Sequence, residues 1–216
     1  MIYFRQQAKS MLNIVIKNNN QFFNLGFHFL LQALFPEYSF STQVSASLNE
    51  ELVRDADVVV LDLCRGEEFV CHPELLNRKP GLLIGVVARL NHRGRGALPL
   101  CLKEIVFVGR DEKLSQVIAK IKLSWVLTPP SAKEKLALRC DSCPQRTLSP
   151  QQRIIAAAIY QGLTVNTIAR KLSLCNKTVF AHKRLIMSKF DLRNDLDLVL
   201  LLRHLDNARR VAKDNS

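Results

Sequence analysis

At 216 residues, 48% of them hydrophobic and 23% charged, the chain can form one large domain or two small ones around a real core. Its net charge of +12 favours an anionic partner. No apolar run approaches the roughly 18 residues that cross a bilayer. The apolar stretch from Leu12 to Ile16 is short and stops at Lys17, so neither a membrane contact nor a signal peptide is expected, and the protein is placed in the cytoplasm.

The charge is uneven. From Thr147 to Ser216 there are 12 Lys and Arg against 5 Asp and Glu, whereas Met1 to Arg146 has 19 against 14. Residues 1–11 read as a disordered lead before the first strand, and residues 12–126 as one α/β domain. Within it LNIVI (Leu12 to Ile16) and DVVVLDL (Asp57 to Leu63) are near-continuous and β-branched, as fully buried parallel strands are. LLIGVVA (Leu82 to Ala88) and IVFV (Ile105 to Val108) continue the series. Helical spacing falls at Phe22 to Phe35 and at Leu114 to Val126. Ser45 to Arg54 reads as a connecting helix or part of one, with a short second strand near Tyr38 to Val44. Strands alternating with helices predict a parallel sheet covered on both faces.

Six cysteines in such a chain are expected to be free thiols. Cys64, Cys71, Cys101 and Cys175 lie in or beside apolar segments and read as small core or cap residues. Cys140 and Cys143 form a Cys-x-x-Cys, a spacing that binds metal or forms a redox pair. A structural zinc needs four ligands, and no second pair of fitting spacing accompanies them, so no metal or other cofactor is expected. They fall in residues 127–146, a proline-rich segment of mixed charge that reads as a linker.

Residues 147–210 read as a second, all-α domain of four helices. Ser149 caps the first, with Pro150 at the favoured N1 position, and Gly162 ends it. Thr164 caps the second, with Ile168 and Leu172 on one side. After Ser173-Leu174-Cys175 the third begins, Asn176 or Cys175 standing where its cap belongs. At about 100° per residue, Val179, Ile186 and Phe190 share one face of it, and Lys177, Ala181, Arg184 and Ser188 the opposite one. One face packs and the other is free, which is how a helix-turn-helix enters the DNA major groove. The competing reading is a basic amphipathic helix with a merely solvated face. Asn194 or Asp195 caps the last helix, whose Leu196, Val199 and Leu200 suit either a dimer contact or the core.

Leu148-Ser149, Gly162, Ile168-Ala169, Leu172, Thr178-Val179, His182, Ile186 and Lys189 resemble the C-terminal domain of the LuxR/FixJ/NarL family of bacterial transcription regulators. The resemblance implies that Phe180, Ala181 and Arg184 reach base edges, and that Thr178, His182, Lys183 and Lys189 approach phosphates. Asn176 and Lys177 at the helix start join them as expected DNA contacts. There are departures. A cation is usual where Phe180 stands, Cys175 replaces the capping Ser, Val165-Asn166-Thr167 replaces Asn-Lys-Glu, and Gln152 replaces a Glu. Phe180 either packs on a thymine methyl or rests on the domain's own flank.

The strand order, with the text IVIKNNNQFFNLGFHFLL followed by ADVVVLDL, resembles the receiver domain of response regulators. Asp62 then stands where receivers carry the phosphorylated aspartate. The acidic pair that would hold Mg²⁺ corresponds to Asn18 and Asn19, the hydroxyl residue to Ala88, and the lysine at best to Arg110. Mg²⁺ binds carboxylates far better than neutral amides, and phosphoryl transfer onto a carboxylate relies on such an ion. Asp62 is therefore expected to be an ordinary polar residue at a strand end, not a phosphorylation site.

Three functions compete. One is a LuxR/FixJ-type regulator binding double-stranded DNA independently of phosphorylation, as a homodimer or with a partner regulator. Another is an auxiliary subunit that modifies a response regulator of this type by heterodimerising, with little DNA specificity of its own. The last, an enzyme, ranks lowest, because there is no Gly-rich phosphate loop, nucleophile elbow or convincing His/Cys pairing, and His28 and His72 read as surface or packed residues.

Overall fold

The computed structural model of the chain describes residues 10–89, 98–127 and 143–214, with side chains in the last helix described as far as 206. Two compact units result, one built on a sheet and the other on the C-terminal helices together with Leu63–Cys71.

In the first unit, β1 (Met11–Lys17), β2 (Ser39–Ser45), β3 (Val58–Asp62), β4 (Leu82–Val87) and β5 (Val106–Gly109) form a parallel sheet in the order β2-β1-β3-β4-β5. Four strands fall where the β-branched runs predict, the first starting at Met11, one residue inside the expected lead, and β2 lies one residue beyond the short strand expected near Tyr38 to Val44. The helices are α1 (Gln21–Leu34), α2 (Glu50–Arg54) and α3 (Leu114–Leu127). Asn20 caps α1 by accepting from the amides of Phe22 and Phe23, and Asn49 caps α2 through Leu52.

The chain steps one way from β1 to β2 and the other way from β3 onward. Right-handed crossovers then place α1 on one face and α2 on the other. On the α1 face Ile14, Ile16, Val58, Val60, Leu82, Ile84, Val86 and Val108 pack with Leu31 and Phe35 of α1 and Val117 and Ile121 of α3. Trp125 closes that layer by packing at a tilt against Phe35, ring centroids 4.6 Å apart. Val15, Val59, Leu61, Leu83 and Phe107 point the opposite way and are buried too. The described elements on that side are α2 and single 3-10 turns at Pro73–Leu75 and Leu100–Leu102. Gly81 is fixed by crowding, since a Cβ there would lie 2.4 Å from the Asp57 carbonyl.

In the second unit α4 (Pro150–Tyr160), α5 (Val165–Lys171), α6 (Asn176–Lys189) and α7 (Asp195–Asp214) follow one another. Ser149 and Gln152 form a reciprocal capping box on α4, so the Gln that departs from the family pattern keeps the capping chemistry. Gly162, at φ 79°, turns the chain out of α4. Two apolar clusters hold the helices. Ile155, Ile168, Ala169 and Val179 make one. Ile186, Phe190, Leu192, Leu198, Leu201 and Leu202 make the other, with Ala156, Phe69 and Val70. Arg65 adds a bond to Asp191 at 2.9 Å, and the Arg146 guanidinium lies 3.4 Å over the Phe69 ring.

Candidate nucleic-acid interface

Helix α6 is anchored at three points along one face. Val179 sits in the first cluster, Ile186 and Phe190 in the second, and all three are buried. Lys177, Ala181, Arg184 and Ser188 are exposed on the opposite face, the division that the helical angles give. Roughly two turns of cationic surface are thus carried on a helix that cannot roll.

The turn before α6 is strained. Ser173 takes φ 53°, the left-handed region that costs a side-chain-bearing residue energy. That conformation sends the Leu174 amide back to the Ala169 carbonyl at 2.9 Å and reverses the chain in three residues. Cys175 is the N-cap, but its side chain bonds no backbone amide of the first turn. Instead its Sγ lies 3.0 Å from the Thr178 hydroxyl. That hydroxyl, before all other influences, holds the exposed thiol below its usual pKa. Asn176 is inside the helix, its side-chain amide donating to Asn166 of α5 at 2.7 Å.

The remaining expected contacts differ in availability. Phe180 is 50% exposed, so half of its surface stays open to a ligand. His182 is half-buried, and its Nδ1 has no hydrogen-bond partner among the described residues. Lys183 bonds Asp195 at 2.7 Å and is largely covered. Lys189 is exposed but donates to the Thr147 carbonyl at 2.6 Å. Lys177 and Arg184 therefore stand as the cations of this face with no carboxylate partner among the described residues. Beside the turn, Asn166, Arg170, Ser173, Cys175 and Asn176 line an open groove. Neither Arg170 nor Asn166 is among the DNA contacts expected from the sequence, where Asn166 figures only as a departure from the family pattern; for Arg170 the basic last turn of α5 is the available signal.

In α7 the sequence assigns two roles to the same three residues, and the structure separates them. Leu196, Val199 and Leu200 are exposed, while Leu198, Leu201 and Leu202 fill the core. Asn194 is the cap, accepting from the Asp197 amide at 2.8 Å. Of the Cys-x-x-Cys, Cys143 is half-buried and Cys140 lies outside the described residues, as does the linker from 128 to 142.

In the sheet unit, order β2-β1-β3-β4-β5 creates its crevice at the carboxyl ends of β1 and β3, and Asn18 and Asp62 lie there. Asp62 is not a bare strand-end residue. The Asn18 side-chain amide donates to its Oδ2 at 2.8 Å, and the Arg110 guanidinium bonds its Oδ1. Arg110 also spans the Phe23 ring at 5.4 Å. Ala88 is exposed at the end of β4 and offers no hydroxyl. Among the described residues no helix is long and apolar enough to cross a membrane.

Residues 146–202 match the model of the bacterial regulatory proteins of the luxR family. The transcriptional regulatory protein UhpA of Escherichia coli (strain K12) is 35% identical over 88 residues, 41% of this chain, and the match spans 42% of that relative. Among solved structures, RcsB from Salmonella enterica serovar Typhimurium, bound to promoter P1flhDC in the presence of phosphomimetic BeF3-, is similar with a TM-score of 0.50. Its identity is 17% over 88% of this chain and 97% of that one. A structure of two RcsB dimers bound to two parallel DNAs gives a TM-score of 0.49 at 17% identity, covering 90% and 98%. The C-terminal unit of this chain is a LuxR-family helix-turn-helix domain, and it follows a receiver-like domain built on a five-stranded parallel sheet.

Proposed function

We propose that the chain is a LuxR-type transcription regulator that binds double-stranded DNA through α6, acts as a homodimer, and works without phosphorylation. The observation that carries the reading is the exposed Lys177–Arg184 face of a helix pinned by Val179, Ile186 and Phe190. Arg184 suits bidentate contact with guanine, and Phe180 contact with a thymine methyl. Asn176, Lys177, Thr178, His182, Lys183 and Lys189 are assigned to the phosphate backbone, joined by Arg170. UhpA is a transcriptional regulatory protein by name and RcsB is seen on DNA, which supports the same role here. The exposed Leu196, Val199 and Leu200 of α7 supply an apolar face for a second copy.

Independence from phosphorylation rests on the Asp62 site. The place of a metal ligand is taken by the Asn18 amide, and Arg110 already neutralises the carboxylate. A guanidinium in that position offsets one negative charge, but it supplies none of the Lewis-acid coordination that draws a phosphoryl group onto an aspartate.

The auxiliary reading keeps one observation in its favour: Lys183 and Lys189 are tied to Asp195 and Thr147, which thins the cationic face. Tagged full-length protein used to recover companions from cell extract, followed by DNA retention with and without them, separates the two. Tight DNA binding by a self-only complex supports the homodimer. Retention that appears only with a recovered response regulator supports the auxiliary subunit.

A further inference from the structure

Helix α1 carries a surface that the DNA reading leaves unused. Phe22 is 88% exposed, Leu25 53% and Phe29 57%, and with Gly26 they follow a spacing that puts all four on one face. An apolar stripe of this kind on a well-packed domain marks a binding surface. Gly26 sharpens the point. Glycine inside a helix costs stability relative to alanine, yet nothing lies within 4 Å of where its Cβ would stand, so the domain's own packing does not require it.

The charge distribution says what fits there. From Asn18 to Asn49, residues covering α1 and the edge strand β2, the one charged residue is Glu37, where the chain-wide 23% would place about seven. Two molecules at +12 repel each other across most surfaces, but not across this one. A nucleic acid or an anionic membrane would find no Lys or Arg in this stretch, an acidic partner no counter-charge, and a basic one only Glu37.

We infer that α1 is a self-association surface on which α1 of a second copy crosses antiparallel. The residues are arranged for a two-fold axis. Phe22 and Phe29 stand equally far on either side of the Leu25–Gly26 peptide, so in an isologous crossing Phe22 of one copy meets Phe29 of the other. Leu25 then falls on the bare Gly26 of its partner, a knob against a hole. Aromatic contacts flank a close helix approach. The inference rests on the homodimer reading above and adds to it a contact made by the sheet unit.

The test uses full-length protein without DNA. Sedimentation velocity at tens of micromolar compares wild type with Gly26→Leu and Phe22→Glu, both at open positions and both checked by thermal melting. The expected result is at least tenfold weaker association in each variant, with a melting temperature for Gly26→Leu no lower than wild type. Phe22→Cys and Phe29→Cys chains, mixed and treated with a short bismaleimide, are expected to yield 22-to-29 cross-links in excess of 22-to-22 by peptide mapping. Wild-type dimers indifferent to both variants would overturn the α1 surface while leaving the homodimer reading in place. A wild type that is monomeric throughout, or equal cross-linking of the two kinds, would overturn it as well. Loss of DNA binding in a separate assay would instead sink the proposed function and leave this result standing.

Discussion

The Asn18 side-chain amide donates to Asp62 Oδ2 at 2.8 Å, across the carboxyl ends of the paired strands β1 and β3. An amide can bridge to one carboxylate oxygen without gathering further anions, whereas a metal-binding carboxylate at the same place would repel Asp62 until the ion arrived. Acetyl phosphate is therefore expected to leave the intact mass unchanged in the presence of Mg²⁺. Asn18→Asp, which replaces a donor by a like charge, is expected to lower stability by about 1–2 kcal/mol in urea unfolding. A stable adduct removed by Asp62→Asn would show that the carboxylate does take phosphate.

Lys177 and Arg184, with no carboxylate partner among the described residues, are expected to behave differently from Lys183 and Lys189, whose ammonium groups are already engaged. Arg184→Ala is expected to cost about 1–3 kcal/mol and to relax preference at one base position, while Lys177→Ala weakens all sequences alike and lowers the salt slope by about one unit. Lys189→Ala is expected to lower the slope too, by no more than Lys177→Ala, because its Nζ already donates to Thr147. Asp195→Asn frees Lys183 and is expected to tighten binding at low salt. Fluorescence anisotropy across a salt series measures all four.

Ser173 pays for its left-handed backbone. At φ 53°, glycine is expected to raise stability by about 1 kcal/mol and valine to lower it by more than that. Thermal melting of Ser173→Gly and Ser173→Val gives the comparison. If the glycine variant melts lower, the turn is not strained in the way its dihedral indicates.

Cys175 gives a pH-dependent handle on the same region. With its pKa held down by the Thr178 hydroxyl, the thiolate is present at lower pH than in a free cysteine, so alkylation by iodoacetamide is expected to begin at lower pH. Thr178→Val is expected to move that profile back up, since the lowering contact is gone. Bound DNA is expected to slow the reaction, because the thiol sits at the start of α6. The modified peptide, followed by mass spectrometry, reports each effect.

The sequence speaks clearly where one physical pattern dominates. Continuous β-branched runs such as Val58 to Leu61 have few alternatives to a buried parallel strand, and the periodicity of Val179, Ile186 and Phe190 orients α6 without further information. It speaks less where several roles suit the same residues. The heptad-like leucines of α7 divide into a buried set, Leu198, Leu201 and Leu202, and an exposed set, and only three-dimensional packing decides which is which. Side-chain partners over long sequence separations are invisible to pattern reading. Arg110 on Asp62, Lys183 on Asp195 and Asn176 on Asn166 all belong to this class. The links between β3 and β5 read poorly for another reason: three-residue 3-10 turns are too short to show a period.

Whether α6 binds duplex DNA is read from retention of sheared chromosomal DNA in a gel-shift series, with full-length protein, at low and moderate salt, alone and with recovered companions. Retention in dilute buffer is expected to fade steeply as salt rises, with the Arg184→Ala and Lys177→Ala chains shifting less DNA at every step. Free DNA throughout, even in dilute buffer and even with companions present, would contradict it.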